Sequence, residues 1–574
     1  MSRPTSQRAG RQRSDPDPAV STVPPVAPAG RERSTTASRS ARGRWWALAA
    51  IAVSFLVVGL DSYIVVTALP TFSTKLGASE SQLQWITAAY TLAWAGLLLP
   101  IGKLGDKLGR RRVLLAGLAL FGIASVVASQ VTTAGQLIAL RAVMGAGAAV
   151  IMPMGLAVIP VLFPNEQDRR RAVTITTVGA MVALPLGPLL GGWLLTHYAW
   201  GWIFLINAPI AALALLGVYF LVPESRDPAN PRLDWSGALL CAAGIVGVVY
   251  AIIQEPTEGW HAQVLISLLG GVVLLGLFTL RQRNAAGPLM DLQLLRNRLF
   301  SWGTVAFAVI SFAMTGALFI LTPYLQSVQG NDAQGTGLRL LPMVGALIVA
   351  AGASDTFAAR IGVRIVIPVA MALSAAGLAV LAQVTGTSGY GTVAVALVIF
   401  GAGLGLGLPL AADTVLGTLA PHQTGMGNAL SRTLQSVGVA LGTAILGSVL
   451  NSAYRATLTD HLAPVAPSKR SVAEASVAGA HSIAARLPTQ AGHMLAHAAN
   501  TAYAHGIGHA AVVGIAVLIV CAVLCVIFLP GTSISPSSAD AERPDTTAQQ
   551  SPSREGSALT PDHTRQEQAT NLRP

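Results

Sequence analysis

The sequence predicts an all-α protein that crosses a membrane many times, and three observations predict it. Charged residues make up only 11% of the 574 and hydrophobic residues 52%, whereas an average soluble chain carries about 25% charge. The mean hydropathy is +0.59. The apolar residues fall in long blocks, many near the ~20 residues a helix needs to span the hydrocarbon core. This pattern excludes a cytosolic enzyme, a disulfide scaffold and a mainly disordered chain. The formal net charge of +12 belongs to basic residues that flank apolar blocks, as the positive-inside rule expects, so nucleic acid is not an expected partner. Cys241, Cys521 and Cys525 all lie in apolar blocks, with no disulfide or metal-ligand spacing.

Residues 1–44 are polar, with Pro, Ser and Arg prominent and no apolar core of a signal peptide. They read as a disordered cytoplasmic tail, as do residues 531–574. Between the tails lie fourteen apolar spans. The first six are 46–69, 83–102, 113–130, 137–161, 173–196 and 201–222, forming an N-terminal bundle over 45–222. Two more, 235–254 and 261–281, occupy an inserted segment, 223–299. The last six are 300–325, 336–356, 363–384, 391–416, 425–450 and 507–529, forming a C-terminal bundle over 300–530. The layout is thus 6+2+6. With both termini cytoplasmic, only Lys75, Arg339, Arg455, Lys469, Arg470 and Arg486 of the 37 Lys and Arg fall in outer loops, and a missed span would destroy that asymmetry. The Ala-rich stretch 451–505 then becomes an extracellular loop with a helix outside the membrane. Its histidines, His461, His481, His493, His497 and His505, are irregularly spaced, so a metal site is the lesser reading and none is expected.

Charges inside spans are costly, on the order of 2.5–3.5 kcal/mol each at a helix centre. Asp61 sits eight residues from the outer end of span 1, roughly 12 Å deep at 1.5 Å per residue. Arg141 lies in span 4, about 6 Å from its outer end. Both fall in the outer half of the first bundle, at depths that permit contact. Asp413 and Arg432 lie in the inner parts of spans 12 and 13. They read either as a structural ion pair or as charge on an inner gate or substrate route.

The loop after span 2 reads Gly102-Lys-Leu-Gly-Asp106-Lys-Leu-Gly109-Arg110-Arg111-Arg112. A basic cytoplasmic turn explains the arginines but not the acid among them. An Asp here can cap a helix or pair with an arginine across a bundle interface, and a contact made in only one conformation is what a gate requires. In span 5, Gly179, Gly187, Pro188, Gly191 and Gly192 let helices pack closely, and the proline permits a kink. Tyr63, Trp94, Met144, Phe312, Tyr324 and Gln435 are candidate lining residues of a cavity, although each is individually as compatible with ordinary packing.

The 102–112 loop resembles the signature between helices 2 and 3 of the major facilitator superfamily. Leu60-Asp61-Ser-Tyr63 through Pro70 resembles the opening motif of its fourteen-helix drug:proton antiporter branch, with Tyr63, Val66 and Thr67 departing from the usual pattern. Arg141-Ala-Val-Met144-Gly145-Ala-Gly147 is similar to the branch's arginine motif, and Gly179 with Gly187-Pro188-Leu-Leu-Gly191-Gly192 to its antiporter motif. Trp200-Gly201-Trp202 through Asn207 and Pro209, Tyr324-Leu-Gln326, Gly337 through Pro342 and Arg432-Thr-Leu-Gln435 also match. Asp355 through Arg364 reads as a degenerate copy of the 102–112 loop, consistent with an internal repeat. The resemblance covers residues 46–529.

That resemblance implies a monomeric, non-enzymatic carrier in the bacterial cell membrane that exports hydrophobic or cationic small molecules, such as drugs or antibiotics, in exchange for protons. It implies that Asp61 carries the proton, with Arg141 assisting, and that Gly102, Asp106, Gly109, Arg110 and Arg111 gate the inner side. Direct binding of a cationic substrate by Asp61 stays open. No nucleotide-binding loop occurs: the Gly102-Lys103 pair is followed by Leu. An ion gradient must then supply the energy, with no cofactor. A dedicated exporter of one metabolite or siderophore, and a sensor or scaffold that no longer transports, are the alternatives.

Overall fold

The computed structural model describes residues 41–226, 234–284, 294–419, 424–462 and 465–530. The two tails, expected to be disordered, lie outside them apart from residues 41–44. The described residues are helical, with no strand.

In chain order the helices are α1 (Ala41–Lys75), α2 (Glu80–Leu108), α3 (Arg110–Ala128), α4 (Ala134–Leu162), α5 (Glu166–His197), α6 (Trp202–Leu205), α7 (Asn207–Leu221), α8 (Trp235–Glu258) and α9 (Ala262–Asn284). They continue with α10 (Arg298–Pro323), α11 (Ala333–Arg339), α12 (Leu341–Ile361), α13 (Val363–Leu381), α14 (Tyr390–Leu416), α15 (Thr424–Thr459), α16 (Pro467–Ala475), α17 (Val477–Ala484) and α18 (Thr489–Phe528). Among the described residues, twelve helical stretches are long and apolar enough to cross a membrane. α2 and α5 are not among the twelve; α5 contributes the shorter apolar stretch Val182–His197.

Polar side chains set the helix starts, because the first N–H groups of a helix lack intrahelical partners. Ser79 and Gln82 form a reciprocal capping box on α2. Thr133, Asn165, Asn297 and Asp332 accept from the first turns of α4, α5, α10 and α11. Asp234 caps α8 through Gly237 N–H at 2.9 Å and also takes Arg281 of α9 at 2.8 Å, which pins the α8–α9 hairpin at its open end. Glycine takes the left-handed position at several junctions, among them Gly109 (φ 110°) between α2 and α3 and Gly362 (φ 82°) between α12 and α13. The matching bend in the two halves is structural support for an internal repeat.

α1 packs on α4, α5 and α7, and α4 on α2 and α3, making one bundle. α10, α12, α13, α14, α15 and α18 make the second. The α8–α9 pair lies beside both, with α8 against α2 and α15. The start of α10 meets the end of α18, where Trp302 stacks on Phe528 with ring centres 5.2 Å apart, and Gln326 beyond the end of α10 reaches Thr67 late in α1. α1 and α10 therefore run parallel, α18 antiparallel, and both ends of the described chain lie on one face, here termed the tail face.

Contacts between the bundles gather at the opposite, far face. Gln326 Nε2 donates to Thr67 O at 2.8 Å. A Cβ on Gly192 of α5 would come within 2.5 Å of Ala333 O, and one on Gly337 of α11 within 2.5 Å of Pro188 O. Ser448 Oγ of α15 lies 3.4 Å from Gln84 Oε1 of α2. Ser73 Oγ, near the end of α1, lies 2.5 Å from Ser476 Oγ, which caps α17. α16, α17 and the first turns of α18 thus form a small helical cap over the far face, occupying the stretch read from sequence as an external loop with a helix.

Candidate functional site

Glycine brings the central charged residues together. A Cβ on Gly145 would run into the backbone of Tyr90, and one on Gly147 would lie 3.0 Å from Gly117 O. These two positions let α4 close on both α2 and α3. The approach carries Arg141, one turn earlier, against α2: its Nε donates to Ile86 O at 3.1 Å, and its guanidinium lies 4.2 Å from the centre of the Tyr90 ring.

Across the bundle, Arg141 Nη1 forms a short ion pair with Asp61 Oδ2 of α1. The other carboxylate oxygen, Oδ1, accepts from Asn207 Nδ2 of α7 at 2.9 Å. Asp61 and Asn207 are fully buried and Arg141 is 2% exposed. One carboxylate therefore ties α1, α4 and α7 together, with α2 holding the arginine. It points into the first bundle and not towards lipid. Charges so placed persist only when paired and hydrogen-bonded, and these are. Removing the negative charge would leave Arg141 buried without its counter-ion.

The glycine stripe of α5 packs on the same stretch of α1. A Cβ on Gly187 would lie 2.5 Å from Tyr63 Cβ, and one on Gly191 2.8 Å from Ile64 Cγ1, while Gly179 meets only Ala52 at 3.8 Å. The same helix presents Pro188 and Gly192 to α11 at the far face. α5, like α1 and α2, therefore touches both the Asp61 region and the other bundle.

The 102–112 segment spans the α2–α3 junction. Gly102 is surrounded by open space, whereas a Cβ on Gly109 would lie 2.5 Å from Glu224 Oε1. The side chain of Asp106 is outside the described residues. Arg110 Nη1 donates to Ala157 O of α4 at 3.1 Å, and its backbone N–H to Ser225 O at 2.9 Å. Arg111 donates from its backbone to Glu224 Oε1 at 3.2 Å and from its guanidinium to Tyr219 O, and it covers the Tyr219 ring. Arg112 approaches Glu224 at 3.6 Å. These named contacts all fall within the first bundle and the strand of chain leaving α7.

In the second bundle, Asp413 and Arg432 are exposed near the tail face. Arg432 covers Phe307 at 5.2 Å and donates to Gln435 Oε1 at 3.2 Å, and Gln435 in turn donates to Ser311 Oγ at 3.2 Å. Of the candidate lining residues, Tyr63 and Trp94 are half-buried, whereas Met144, Phe312 and Tyr324 are packed in the core. Tyr324 spends its hydroxyl on Thr385 O at 2.8 Å.

Sequence reasoning missed three partners. Asn207 had been noted only within a motif, Tyr90 not at all, and Glu224 sits in a loop. Asn207 carried a signal, since a polar amide in an apolar block needs a partner. Tyr90 and Glu224 carried none. No group of three or more metal-binding side chains occurs among the described residues; His481 instead pairs with Asn500 Oδ1 at 2.7 Å.

Comparison with known proteins fits this architecture. Residues 51–443 match the Major Facilitator Superfamily family model. The chain is 32% identical, over 85% of its length and 92% of the relative's, to the tetracenomycin C resistance and export protein of Streptomyces glaucescens. It is 30% identical, over 84% of its length and 95% of the relative's, to the multidrug efflux pump LfrA of Mycolicibacterium smegmatis. A bacterial homologue of the human lysosomal transporter Spinster shares the fold at a TM-score of 0.59, with 15% identity over 86% of this chain and all of that one. The chain belongs to the major facilitator superfamily, and within it to the group of drug-resistance and efflux transporters.

Proposed function

We propose that the protein exports hydrophobic or cationic small molecules across the cell membrane in exchange for protons, by alternating access. The observation that carries this reading is the buried Asp61–Arg141 pair with Asn207 on the remaining carboxylate oxygen. In this reading α2 and α5 also cross the bilayer, giving fourteen spans, and the tail face is cytoplasmic because the basic loops lie there. The two bundles then meet outside, so the state described is one closed to the exterior, with Asp413 and Arg432 on the cytoplasmic approach.

Protonation of Asp61 from outside frees Arg141 from its counter-ion and loosens α1 from α4. Deprotonation restores the pair. The two protonation states favour different bundle arrangements, and a substrate that binds one of them is carried against its gradient. The Asp106 segment holds the inner side shut when the cavity faces outward. One proton moving through 100 mV supplies about 2.3 kcal/mol, enough for a gradient of roughly fiftyfold in a neutral substrate. A narrower reading, a dedicated exporter of one compound, is favoured by the relative from Streptomyces glaucescens, which is named for resistance to and export of tetracenomycin C.

Dye efflux from whole cells and everted vesicles, with and without an uncoupler, tests both. The parent should lose concentrative transport on uncoupling, and Asp61→Asn should lose it outright. Asp106→Asn should slow turnover. Uphill transport by Asp61→Asn would falsify the proton-carrier role. Transport of one compound among many tested would favour the narrower reading.

A further inference from the structure

Away from the bundle interface, the far face contains a groove of about 600 Å³ between α8, α15 and α18. That volume falls within the ~300–1,000 Å³ of small-molecule sites. Its deep end is apolar, formed by Ile252, Ile445 and Val449, and its mouth carries Glu255, Trp260 and His505. His509 also lines it, its ring 4.6 Å from that of His505. No Lys or Arg lines the groove. The Glu255 carboxylate makes no hydrogen bond or ion pair among the described residues. Trp260 is 59% exposed beside it.

We propose that this groove is a second binding site for a lipophilic monocation, distinct from the route between the bundles. Glu255 supplies the counter-charge, Trp260 an aromatic wall for the cation, and the apolar floor takes the rest of the ligand. The choice of a cation follows from charge complementarity, since the one acid at the mouth lacks a partner. The ligand class rests on the export reading above.

The groove also touches the seam between the bundles. Ser448, in its lining, donates to Ile252 O at 2.8 Å and reaches Gln84 Oε1 at 3.4 Å. Gln84 is fully buried at the α2–α15 contact, and its Nε2 has no partner among the described residues. A bound cation therefore sits against the contact that must part when the exterior opens, and its occupancy shifts that equilibrium.

The test is equilibrium binding of radiolabelled tetraphenylphosphonium to the full chain in phosphatidylglycerol nanodiscs. Two classes of site are expected in the parent. Glu255→Gln should weaken one class about tenfold, and Ala456→Trp, which fills the groove from an exposed position, should abolish that class. The other class should be unchanged in both, and both variants should still export dye. A single class that neither substitution alters overturns the second site and leaves the export reading intact. Loss of the groove class in phosphatidylethanolamine nanodiscs would assign the groove to a lipid headgroup and overturn the proposal. Absence of any binding in the parent overturns both this site and the ligand class proposed for export.

Discussion

Asp61 is held from two directions, and the two holds differ in kind. Arg141 neutralises its charge, and Asn207 satisfies its second oxygen. Asp61→Asn leaves Arg141 buried without a counter-ion, which typically costs about 3–5 kcal/mol. The variant is therefore expected to melt at lower temperature as well as to lose uphill transport. The double variant Asp61→Asn with Arg141→Gln should regain most of that stability and none of the proton-driven transport, read by thermal melting and vesicle efflux. Recovery of uphill transport in the double variant would remove Asp61 from the coupling step. Asn207→Ala should cost less, about 1.5–3 kcal/mol for a hydrogen bond to a charged group, and should alter the pH dependence of efflux. The depths of Asp61 and Arg141 in their spans permit contact but do not by themselves require it. The separation of 146 positions between Asp61 and Asn207 hid the third partner, because hydropathy reports where a residue sits along its own helix and not which way it faces.

At the scale of elements, α5 and the α8–α9 hairpin behave oppositely. α5 is smooth where it crosses α1, and its contacts there are van der Waals ones that can slide. Gly187→Val would push into Tyr63 and is expected to abolish transport while leaving the protein expressed, checked by surface labelling alongside efflux. The hairpin is fastened at its base by Asp234. Burial raises that carboxyl, but Arg281, Gly237 N–H and Ser236 outweigh burial and hold it below its ordinary value. Because the folded value is depressed, the stabilisation is fully present above the unfolded carboxyl range, ~3.9, and is lost as pH falls through the folded value. The clasp should thus be constant across neutral pH, and Asp234→Asn should lower the melting temperature equally at pH 6 and pH 8. A loss that grows between those pH values would point to another group.

Helix ends were less legible than helix existence. Span 1, read as 46–69, is part of a helix covering Ala41–Lys75, and span 13, read as 425–450, is part of Thr424–Thr459. Hydropathy marks the stretch that suits lipid, while the helix continues until its hydrogen bonding is capped. The span read as 201–222 divides into α6 and α7 around Ile206, just before Asn207 and Pro209, a break that its hydropathy did not announce.

For the molecule as a whole, the alternating-access reading proposed above makes the far-face contacts a seal that opens in every cycle. Ser73 and Ser476 offer a way to hold it. Their hydroxyls are 2.5 Å apart, so Ser73→Cys with Ser476→Cys places two sulfurs within bonding reach after small adjustment. Cys241, Cys521 and Cys525 are buried and free, so they should not compete. Oxidation is expected to stop efflux and dithiothreitol to restore it. Undiminished efflux by the oxidised protein would mean that α1 and the cap move together. A two-bundle layout was open to expectation because the apolar spans fall in a 6+2+6 order and the segment 355–364 reads as a copy of 102–112. The seal was not, because small residues such as Gly192, Ala333 and Gly337 look alike whether they face lipid or another bundle.

α18 runs 40 residues, Thr489–Phe528, or roughly 60 Å at 1.5 Å per residue, against a hydrocarbon thickness of about 30 Å. A membrane-spanning part of that thickness would leave nearly half of it beyond the bilayer, a stiff mast rooted in the second bundle, with the Ser476 turn moored to the tip of α1. In the orientation and cycle proposed above, tilting of the bundles at mid-membrane would be delivered, magnified by that lever, to a platform reachable from outside. A rigid antibody fragment that braces the mast against the first bundle would stall the carrier without ever entering the path of its cargo.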